Sequence, residues 1–301
     1  MAIYNSFEEN FLNKISGVSY IGKPKSNTMM YLTKKIESKL ALLADVKDCL
    51  IFIEDTVIVP QEIRDDHIFI ACTNPAASYT EIALLLSDKI EMEYRSKKYL
   101  TTDGGYTIGE DVQIGNGSII EPLAFIDHCV KIGKNVLIKT GAKIRRNTII
   151  GDDCVIGENS VIGEPAFNIT ELGEGWLVSI PSFGGIVIGD NVFIGANCSI
   201  SKGGADDTIL ENNVKIDSNV RIGHDVHLHY GAEIIGCSAI GGYCEIGEHT
   251  VTSINSTLKN RLKIGNHCFI GMGSVVNRDI KDNMEISGNP AITLEKAAQK
   301  G

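Results

Sequence analysis

Aliphatic side chains recur at every sixth residue over most of this chain. Isoleucine occupies each of these positions between residues 108 and 162. The spacing resumes over residues 188–200 and continues in a shifted register over residues 210–276, where Thr252 alone is polar. A helix would scatter such a repeat around its surface, whereas a short strand followed by a turn brings each side chain back to one core. The pattern therefore predicts a hexapeptide-repeat solenoid.

A second set of smaller residues follows each aliphatic position four residues later, where the repeat turns a corner. Three hexapeptides make one triangular coil, so the repeats predict about eight stacked coils. Four of the eight cysteines fall on the small-residue position: Cys154, Cys198, Cys244 and Cys268. Because the chain has no CxxC pair, we interpret these cysteines as packing residues that remain reduced thiols.

Residues 1–100 lack the six-residue period and predict a separate α/β domain. Apolar runs that are typical of strands occupy residues 49–54, 57–60 and 67–72, and residues 81–100 have the pattern of a helix. We therefore divide the chain into an α/β domain over 1–100, a β-helix domain over 101–288 and a short tail over 289–301.

Two insertions interrupt the solenoid. The first, residues 167–185, contains Trp176, which is the single tryptophan of the chain, and the second, residues 201–208, contains Asp206 and Asp207. Both could be surface loops that a solenoid corner tolerates, but loops are also where binding residues concentrate. Trp176, Asp206 and Asp207 are therefore candidate substrate-binding residues.

Composition narrows the class of protein. A hydrophobic fraction of 43%, a charged fraction of 22% and a mean hydropathy of +0.04 are typical of a globular protein and unlike a disordered or membrane-spanning one. The net charge of −10 argues against a nucleic-acid partner, so an acidic ligand would need a local basic pocket. No basic start followed by a long apolar run opens the sequence, and we expect a cytoplasmic location.

The densest histidine cluster lies in residues 221–231. His224 follows the inward-pointing Ile222 by two positions, which predicts a place on the outer surface. Such a histidine can be a solvated surface residue, but the ordinary imidazole pKa of about 6.5 also suits a general base. One coil later the stacked position is Gly242, whose amide lacks side-chain cover and could stabilise an oxyanion.

Several segments resemble one enzyme family. Residues 203–210 (GGADDTIL), 215–226 (KIDSNVRIGHDV) and 176–200 are similar to the central segments of the UDP-3-O-acylglucosamine N-acyltransferases of lipid A biosynthesis. Residues 28–32 (TMMYL) and 73–83 (TNPAASYTEIA) are similar to the nucleotide-binding domain of that family. The resemblance implies a mainly β fold, a left-handed parallel β-helix with a small N-terminal α/β domain, and a homotrimer with active sites between subunits.

The resemblance also assigns roles to single residues. His224 matches the general base, and Gly242 occupies the position of the oxyanion amide. Asp217 matches an acidic residue that could orient the base, and any contact between the two is expected to cross a subunit interface. The second active-site histidine of the family falls on Arg261 or, with a shift of one hexapeptide, on Asn255.

The nucleotide-binding motifs depart from the family pattern. Tyr31 keeps an aromatic position, but Lys34 replaces an asparagine and Glu37 a second aromatic residue. With Asn74 of the second motif, Tyr31 and Lys34 are candidate substrate-binding residues. These departures favour a relative that acylates another nucleotide-linked amino sugar for surface polysaccharide or lipopolysaccharide synthesis, and the lipid A enzyme itself is the alternative. The acyl donor is expected to be a thioester of coenzyme A or of acyl carrier protein, with no bound cofactor, metal or membrane span.

Two further classes remain open. A zinc enzyme of the γ-type carbonic anhydrase class would use His224 and His229, but position 188, where a third histidine is expected two coils before His224, is isoleucine. A scaffold that binds a nucleotide sugar without turning it over is the other. Metal analysis of the purified protein tests the zinc enzyme, and an assay for thiol release separates the scaffold from an acyltransferase.

Overall fold

The computed structural model describes residues 15–288 of the chain, which form two compact units. The first unit runs through Ser96 and also includes residues 167–183 and 204–206. The second unit contains residues 97–166, 184–203 and those from Asp207 onward. Each unit has its own buried apolar clusters. The predicted tail over 289–301 lies outside the described residues.

The first unit is built on a four-stranded parallel sheet in the order β1-β2-β3-β4. Its elements are β1 (Gly17–Val18), β2 (Thr28–Leu32), a 3₁₀ helix (Lys34–Asp45), β3 (Leu50–Glu54), α1 (Gln61–Arg64), β4 (Ile68–Cys72) and α2 (Pro75–Arg95). Most side chains of β2 and β3 are buried, as expected for parallel strands covered on both faces. Among residues 15–288, no helix combines the length and apolar character needed to cross a bilayer.

One predicted strand of this unit is wrong. Residues 57–60 are irregular, although Val57 and Val59 are buried in the core. Both edges of the preceding β3 are already paired, with β2 and with β4, and Pro60 is the N-cap of α1. The apolar run that predicted a strand reflects the packing of Val57 and Val59 without a partner strand.

Most of the first insertion (residues 167–183) and the centre of the second (residues 204–206) belong to the first unit. The first insertion forms an antiparallel hairpin of β5 (Ile169–Glu171) and β6 (Leu177–Ser179). Ile180, the residue after β6, is 8% exposed and belongs to the same hydrophobic core cluster as Tyr79 and Ile82 of α2. Ala205 of the second insertion packs against that cluster too. These segments are therefore structural parts of this unit and not free surface loops.

The second unit is a solenoid of three sheets, here called faces 1, 2 and 3 in the order in which the chain visits them. Face 1 consists of Leu100–Thr101 (antiparallel), Thr107–Ile108, Phe125–Ile126, Lys143–Ile144, Val161–Glu164, Ser199–Ser201, Arg221–Ile222, Ala239–Ile240, Thr257–Leu258 and Val275–Val276. Face 2 consists of Gln113–Ile114, Lys131–Ile132, Thr148–Ile150, Ile186–Ile188, Thr208–Leu210, His227–Leu228, Glu245–Ile246 and Lys263–Ile264. Face 3 consists of Ile119–Ile120, Leu137–Ile138, Val155–Ile156, Phe193–Ile194, Lys215–Ile216, Glu233–Ile234, Val251–Thr252, Phe269–Ile270 and Glu285–Ile286.

The six-residue pattern predicted this core well. Every predicted inward position lies on a strand, and each strand pairs in parallel with its equivalent in the next coil, as Ile132 does with Ile150. From Ile126 onward all the inward side chains are buried. Those of the first coil are partly exposed because that coil closes one end of the column.

One residue in most of the turns adopts the left-handed backbone region. Asparagine and aspartate, whose short polar side chains tolerate this conformation, occupy many of these positions. They include Asn135, Asn147, Asp153, Asn159, Asn191, Asn197, Asn213, Asn219, Asp225 and Asn255.

All eight cysteines are free thiols. Cys154, Cys198, Cys244 and Cys268 are buried at the small-residue position, and their thiols donate to backbone carbonyls, as Cys154 does to Gly189 at 3.1 Å. Burial raises the pKa of the Cys154, Cys198 and Cys244 thiols. These cysteines are therefore unreactive packing residues.

Replacing Thr252 with valine should stabilise the solenoid. The Thr252 hydroxyl is buried and has no hydrogen-bond partner among residues 15–288. Valine has nearly the same shape and removes the desolvated hydroxyl, so we expect the free energy of unfolding to rise by about 1–2 kcal/mol in a denaturant titration. Thr148→Val is the matched control, because the equally buried Thr148 hydroxyl donates to the Arg145 carbonyl at 2.7 Å. That variant should lose stability, and destabilisation by Thr252→Val would contradict the prediction.

Candidate active site

His224 lies at the corner between faces 1 and 2, directly after the strand Arg221–Ile222. Its side chain is 16% exposed, and Nδ1 lies 2.7 Å from Oδ2 of Asp225, whose side chain is 5% exposed. An ionised carboxylate only accepts hydrogen bonds, so Nδ1 carries the proton and donates it to Asp225. In the tautomer with the proton on Nδ1, Nε2 is the nitrogen that can accept a proton, as a general base requires.

The backbone fixes the position of Asp225. This residue adopts a φ of 55°, and its amide donates to the buried Thr208 hydroxyl at 2.9 Å. The left-handed turn thus brings the carboxylate back onto the histidine that precedes it. Sequence reasoning missed Asp225 because aspartate is an ordinary occupant of this turn position, and its adjacency to His224 was the available signal.

Asp217 does not orient His224 within this chain. It lies at the corner between faces 3 and 1, where its two carboxylate oxygens accept the amides of Ser218 at 2.7 Å and Gly236 at 3.0 Å. Seven residues of a hexapeptide solenoid place it on a different corner from His224. Within this chain Asp225 contacts His224 Nδ1, and a contact of Asp217 with His224 across a subunit interface stays a prediction.

Gly242 stacks against His224, as the sequence predicted. The pairing of Ile222 with Ile240 places it one coil after the histidine, and a Cβ atom at residue 242 would lie 2.8 Å from His224 Nε2. The Gly242 amide has no acceptor among residues 15–288. In the first coil the amide at the same corner position, that of Glu110, donates to His128 Nδ1 at 2.8 Å. The Gly242 amide, by contrast, stays open beside the Nε2 atom of His224.

Tyr243 and Arg261 support the imidazole from the next coils. The Tyr243 ring meets the His224 ring edge-on at a centroid distance of 4.9 Å. The Arg261 guanidinium lies 4.2 Å from the centre of the Tyr243 ring, a cation–π contact. Arg261, one of the two positions that match the second histidine of the resembled family, thus contributes to this site through Tyr243.

Positive charge concentrates at the same corner in the preceding coils. Lys202 lies one coil before His224, because Ile200 pairs with Ile222, and it is 8% exposed. Burial, with Arg146 and Arg145 nearby, lowers the pKa of Lys202 to about 8 despite the opposing effect of Asp127. This is the local basic pocket that an acidic ligand of an acidic protein requires.

Asp127 is the acidic member of that pocket. Its carboxylate is buried, accepts the Tyr99 hydroxyl at 2.8 Å and lies 3.6 Å from Nε of Arg145. Burial and the hydrogen bond to Asp127 raise the pKa of Tyr99 to about 12, so the phenol remains a donor. Asp127 faces Lys202, Arg145 and Arg146. The carboxylate of Glu164 at the same corner is paired with Arg221, so the pocket is net positive.

A second group of titratable side chains lies on face 2 and the corner that follows it. Glu211 Oε1 lies 2.7 Å from His227 Nε2 and 3.1 Å from His229 Nδ1. Burial raises the pKa of Glu211, but the hydrogen bond from His227 and the charge of His229 outweigh it, so the net pKa lies below the ordinary value. These three residues could hold a metal ion. His229 contacts Glu211 and His227 and does not pair with His224. The zinc site of His224 and His229 that the sequence allowed is therefore not formed within this chain.

The predicted substrate-binding residues of the first unit have varied surroundings. The Tyr31 ring packs against Tyr79 at a centroid distance of 5.2 Å. The Lys34 ammonium pairs with Glu37 at 2.7 Å. Asn74 caps α2 by accepting the Ala77 amide at 3.1 Å, which is a structural role. Trp176 lies between the strands of the β5–β6 hairpin and is 70% exposed.

Asp206 and Asp207 were predicted as a pair, but their side chains make separate contacts. Asp206 forms ion pairs within the first unit, at 2.5 Å to Lys25 and 3.9 Å to Lys23. Asp207 belongs to the second unit and accepts the Gly185 amide at 2.6 Å. Adjacency in sequence therefore did not bring the two carboxylates together, because each one has its own partners.

Comparisons with known proteins agree with this geometry. A family profile described as "Bacterial transferase hexapeptide (six repeats)" matches residues 129–164. A second profile, "Hexapeptide repeat of succinyl-transferase", matches residues 185–224 and 261–293. Two curated relatives are UDP-3-O-acylglucosamine N-acyltransferases, one from Janthinobacterium sp. (strain Marseille) at 33% identity over 181 residues and one from Coxiella burnetii (strain Dugway 5J108-111) at 34% over 182 residues.

The chain carries hexapeptide repeats and is similar in sequence to UDP-3-O-acylglucosamine N-acyltransferases. Each of these alignments covers 60% of the chain but only 46% and 53% of the respective relative. The chain thus spans about half the length of the curated relatives that it matches.

Solved structures show the hand of this hexapeptide-repeat solenoid. It is similar to the UDP-N-acetylglucosamine acyltransferase of Francisella novicida, with a TM-score of 0.57, 25% identity and coverage of 65% of this chain and 72% of that one. The Arabidopsis enzyme of the same name gives a TM-score of 0.55 at 26% identity and covers 65% and 69% of the two chains. The fold is a left-handed parallel β-helix, as the resemblance implied.

Proposed function

We propose that this hexapeptide-repeat protein is an N-acyltransferase that moves an acyl group from a thioester to the amine of a nucleotide-linked amino sugar. The observation that carries the proposal is the arrangement of His224. Asp225 holds its proton on Nδ1, and Nε2 faces the Gly242 position, where an amide has no acceptor. A base beside an oxyanion donor is what attack on a thioester carbonyl requires.

The reaction would proceed in two steps. His224 Nε2 takes a proton from the sugar amine as the nitrogen attacks the thioester carbonyl, and the Gly242 amide donates to the oxyanion that forms. The carbon–sulfur bond then breaks, and the thiolate leaves with the proton from Nε2. The products are an amide and a free thiol, and His224 returns to its starting state. Coenzyme A or acyl carrier protein would supply the thioester.

The basic pocket supports an anionic substrate. Lys202 is held beside Arg145 and Arg146 and has a depressed pKa, so an anion in the pocket would stabilise its charged form. The diphosphate of a nucleotide sugar is such an anion.

The Lys34–Glu37 pair supports an acceptor other than UDP-3-O-acylglucosamine. These residues replace the asparagine and the second aromatic residue of the resembled family, and they form an ion pair with each other. No aromatic ring is then available at position 37 to stack on a base.

We propose that Tyr31, Lys34, Asn74, Trp176, Asp206 and Asp207 contribute to substrate recognition or to the local structure that supports it, in a pathway of surface polysaccharide or lipopolysaccharide synthesis. The lipid A acceptor, which the names of the curated relatives favour, is the second candidate.

We also propose a homotrimer. Apolar side chains occupy several outward positions of face 3, and Ile119, Phe193 and Phe269 are 62%, 42% and 45% exposed. Such a ladder suits an interface between copies of the solenoid. Light scattering coupled to size-exclusion chromatography would give three times the chain mass.

The eight free thiols support a cytoplasmic location, where cysteines stay reduced.

Thiol release tests the activity. Purified protein is incubated with short- and long-chain acyl-CoA and acyl carrier protein thioesters, together with UDP-, dTDP-, GDP- and CMP-linked amino sugars and with UDP-3-O-acylglucosamine. N-acetylated sugars, which lack the free amine, serve as the control acceptors. We expect thiol release only with acceptors that carry a free amine. The rate of release should be highest for amino sugars linked to one of the four nucleotides. Equal release with the control acceptors, or none with any pair, would overturn the proposal.

Replacing Asp225 with asparagine should lower kcat by about 10- to 50-fold and leave KM for the acceptor nearly unchanged. Asparagine fits the left-handed turn but no longer holds the Nδ1 proton with a charge-assisted hydrogen bond, so fewer molecules present Nε2 as the base. Steady-state thiol release measures both constants. Asp217→Asn is the matched control and should retain activity, because Asp217 accepts backbone amides at another corner. A larger kcat effect from Asp217→Asn than from Asp225→Asn would reverse this assignment.

A further inference from the structure

The three-residue group Glu211, His227 and His229, called here the Glu211 cluster, lies apart from the corner that contains His224. The repeat assembles it from two neighbouring coils, because Leu210 pairs with Leu228 and Glu211 therefore lies beside His229. The ligand atoms of the three side chains all lie within 4.8 Å of one another. The two imidazole rings stack at a centroid distance of 3.9 Å, so both present a nitrogen to the same carboxylate oxygen.

The carboxylate of the Glu211 cluster is held in place. Oε2 of Glu211 accepts the Tyr230 amide at 3.0 Å, which leaves Oε1 directed at the two histidines. A flexible surface glutamate would lose considerable side-chain entropy on binding a cation. Here part of that ordering exists before any cation binds.

A second carboxylate orients His229. Glu245 Oε1 lies 3.2 Å from His229 Nε2, and Glu245 Oε2 lies 3.2 Å from the Lys263 ammonium. When His229 Nε2 donates a hydrogen bond to Glu245, the lone pair of His229 Nδ1 is directed at Glu211. A carboxylate behind a histidine ligand is the usual outer support of a protein metal site.

We propose that Glu211, His227 and His229 bind one divalent transition-metal ion of the zinc type, with Glu245 as the positioning residue of His229. Two imidazole nitrogens and one carboxylate oxygen suit zinc, cobalt or nickel, whereas magnesium and calcium require a shell of oxygen ligands. The side chains of Glu211, His227 and His229 are 35%, 34% and 25% exposed, so the ion remains open to a fourth ligand from solvent. The site departs from the expectation of no metal that the sequence alone gave, and it does not depend on the proposed acyl transfer.

Calorimetric titration with zinc chloride tests the site on the full-length, tag-free protein after treatment with a chelator. We expect one zinc ion per chain with a Kd in the micromolar range or below, and a higher melting temperature with zinc than without. Cobalt should give visible absorption bands of a nitrogen- and oxygen-ligated ion. Glu211→Gln and His227→Gln should each weaken zinc binding by about 100-fold or more, and Glu245→Gln by about 10-fold.

His267→Asn is the matched control. His267 stacks on His249 at a centroid distance of 5.3 Å, so these two also form an exposed histidine pair, and asparagine tolerates its left-handed φ of 53°. This variant should bind zinc like the wild type. Less than 0.2 zinc per chain, or unchanged binding in both Glu211→Gln and His227→Gln, would overturn the proposal. Loss of zinc in His267→Asn alone would assign the ion to the other pair and overturn it as well.

Discussion

Replacing His224 with glutamine should lower kcat for acyl transfer by about 10²- to 10⁴-fold, the usual contribution of a general base. Glutamine occupies a similar volume and can still form a hydrogen bond, but its amide cannot accept a proton from the attacking amine. The change leaves the Gly242 amide and the basic pocket in place, so KM for the acceptor should change much less than kcat. Steady-state thiol release over a range of acceptor concentrations gives both constants.

The control for this variant separates catalysis from folding. His249→Asn changes another histidine of the solenoid at a left-handed turn, with a φ of 54°, and should retain full activity. Both variants should melt within a few degrees of the wild type, because His224 lies in a turn and outside the aliphatic column. A stable His224→Gln protein with at least half of the wild-type kcat would remove His224 from the mechanism.

Replacing Gly242 with alanine should lower kcat by about 100-fold while the fold is preserved. The new Cβ would lie 2.8 Å from His224 Nε2, and the two next nearest atoms also belong to the imidazole. The ring must therefore move, and a displacement of about 1 Å can reduce a rate by that factor. The φ angle of Gly242 lies outside the left-handed region, so alanine adds no backbone strain. Thiol release and thermal unfolding measure the two effects separately.

Gly223→Ala provides the contrast. Its Cβ would lie 2.5 Å from the Gly242 amide nitrogen, so the clash is with backbone of the next coil and should lower the melting temperature. If alanine at 242 lowered stability as much as alanine at 223, the glycine would be required by the coil stack and not by the imidazole. Wild-type kcat in Gly242→Ala would likewise contradict a close contact between His224 and the reacting groups.

The solenoid could be predicted in detail because its core depends on one repeated distance along the chain. Counting 18 residues from His224 identified Gly242, and the structure places the two in contact. The same counting pairs Glu211 with His229 and His227 with Glu245, and so could have found the Glu211 cluster. The sequence alone concealed it because each of these residues is an ordinary polar residue within its own repeat.

Other parts of the site depend on local geometry that the repeat does not encode. Asp225 contacts His224 because a left-handed turn reverses the direction of the chain. Asp206 and Asp207 are adjacent in sequence, but their carboxylates contact different partners, Lys25 and the Gly185 amide. Residues 57–60 show the same limit in the first unit, since alternating burial arises there without a partner strand. Spacing identifies which residues stack, but not how a turn aims a side chain.

Product analysis by mass spectrometry tests the central claim most directly. Wild-type protein and His224→Gln are incubated in parallel with an acyl thioester and the preferred nucleotide-linked amino sugar, and the products are then treated with hydroxylamine, which cleaves esters but leaves amides intact. We expect an acylated sugar that resists hydroxylamine with the wild type and almost none with His224→Gln. A hydroxylamine-sensitive product, or equal amounts of amide from both proteins, would contradict an acyl transfer to an amine that depends on His224.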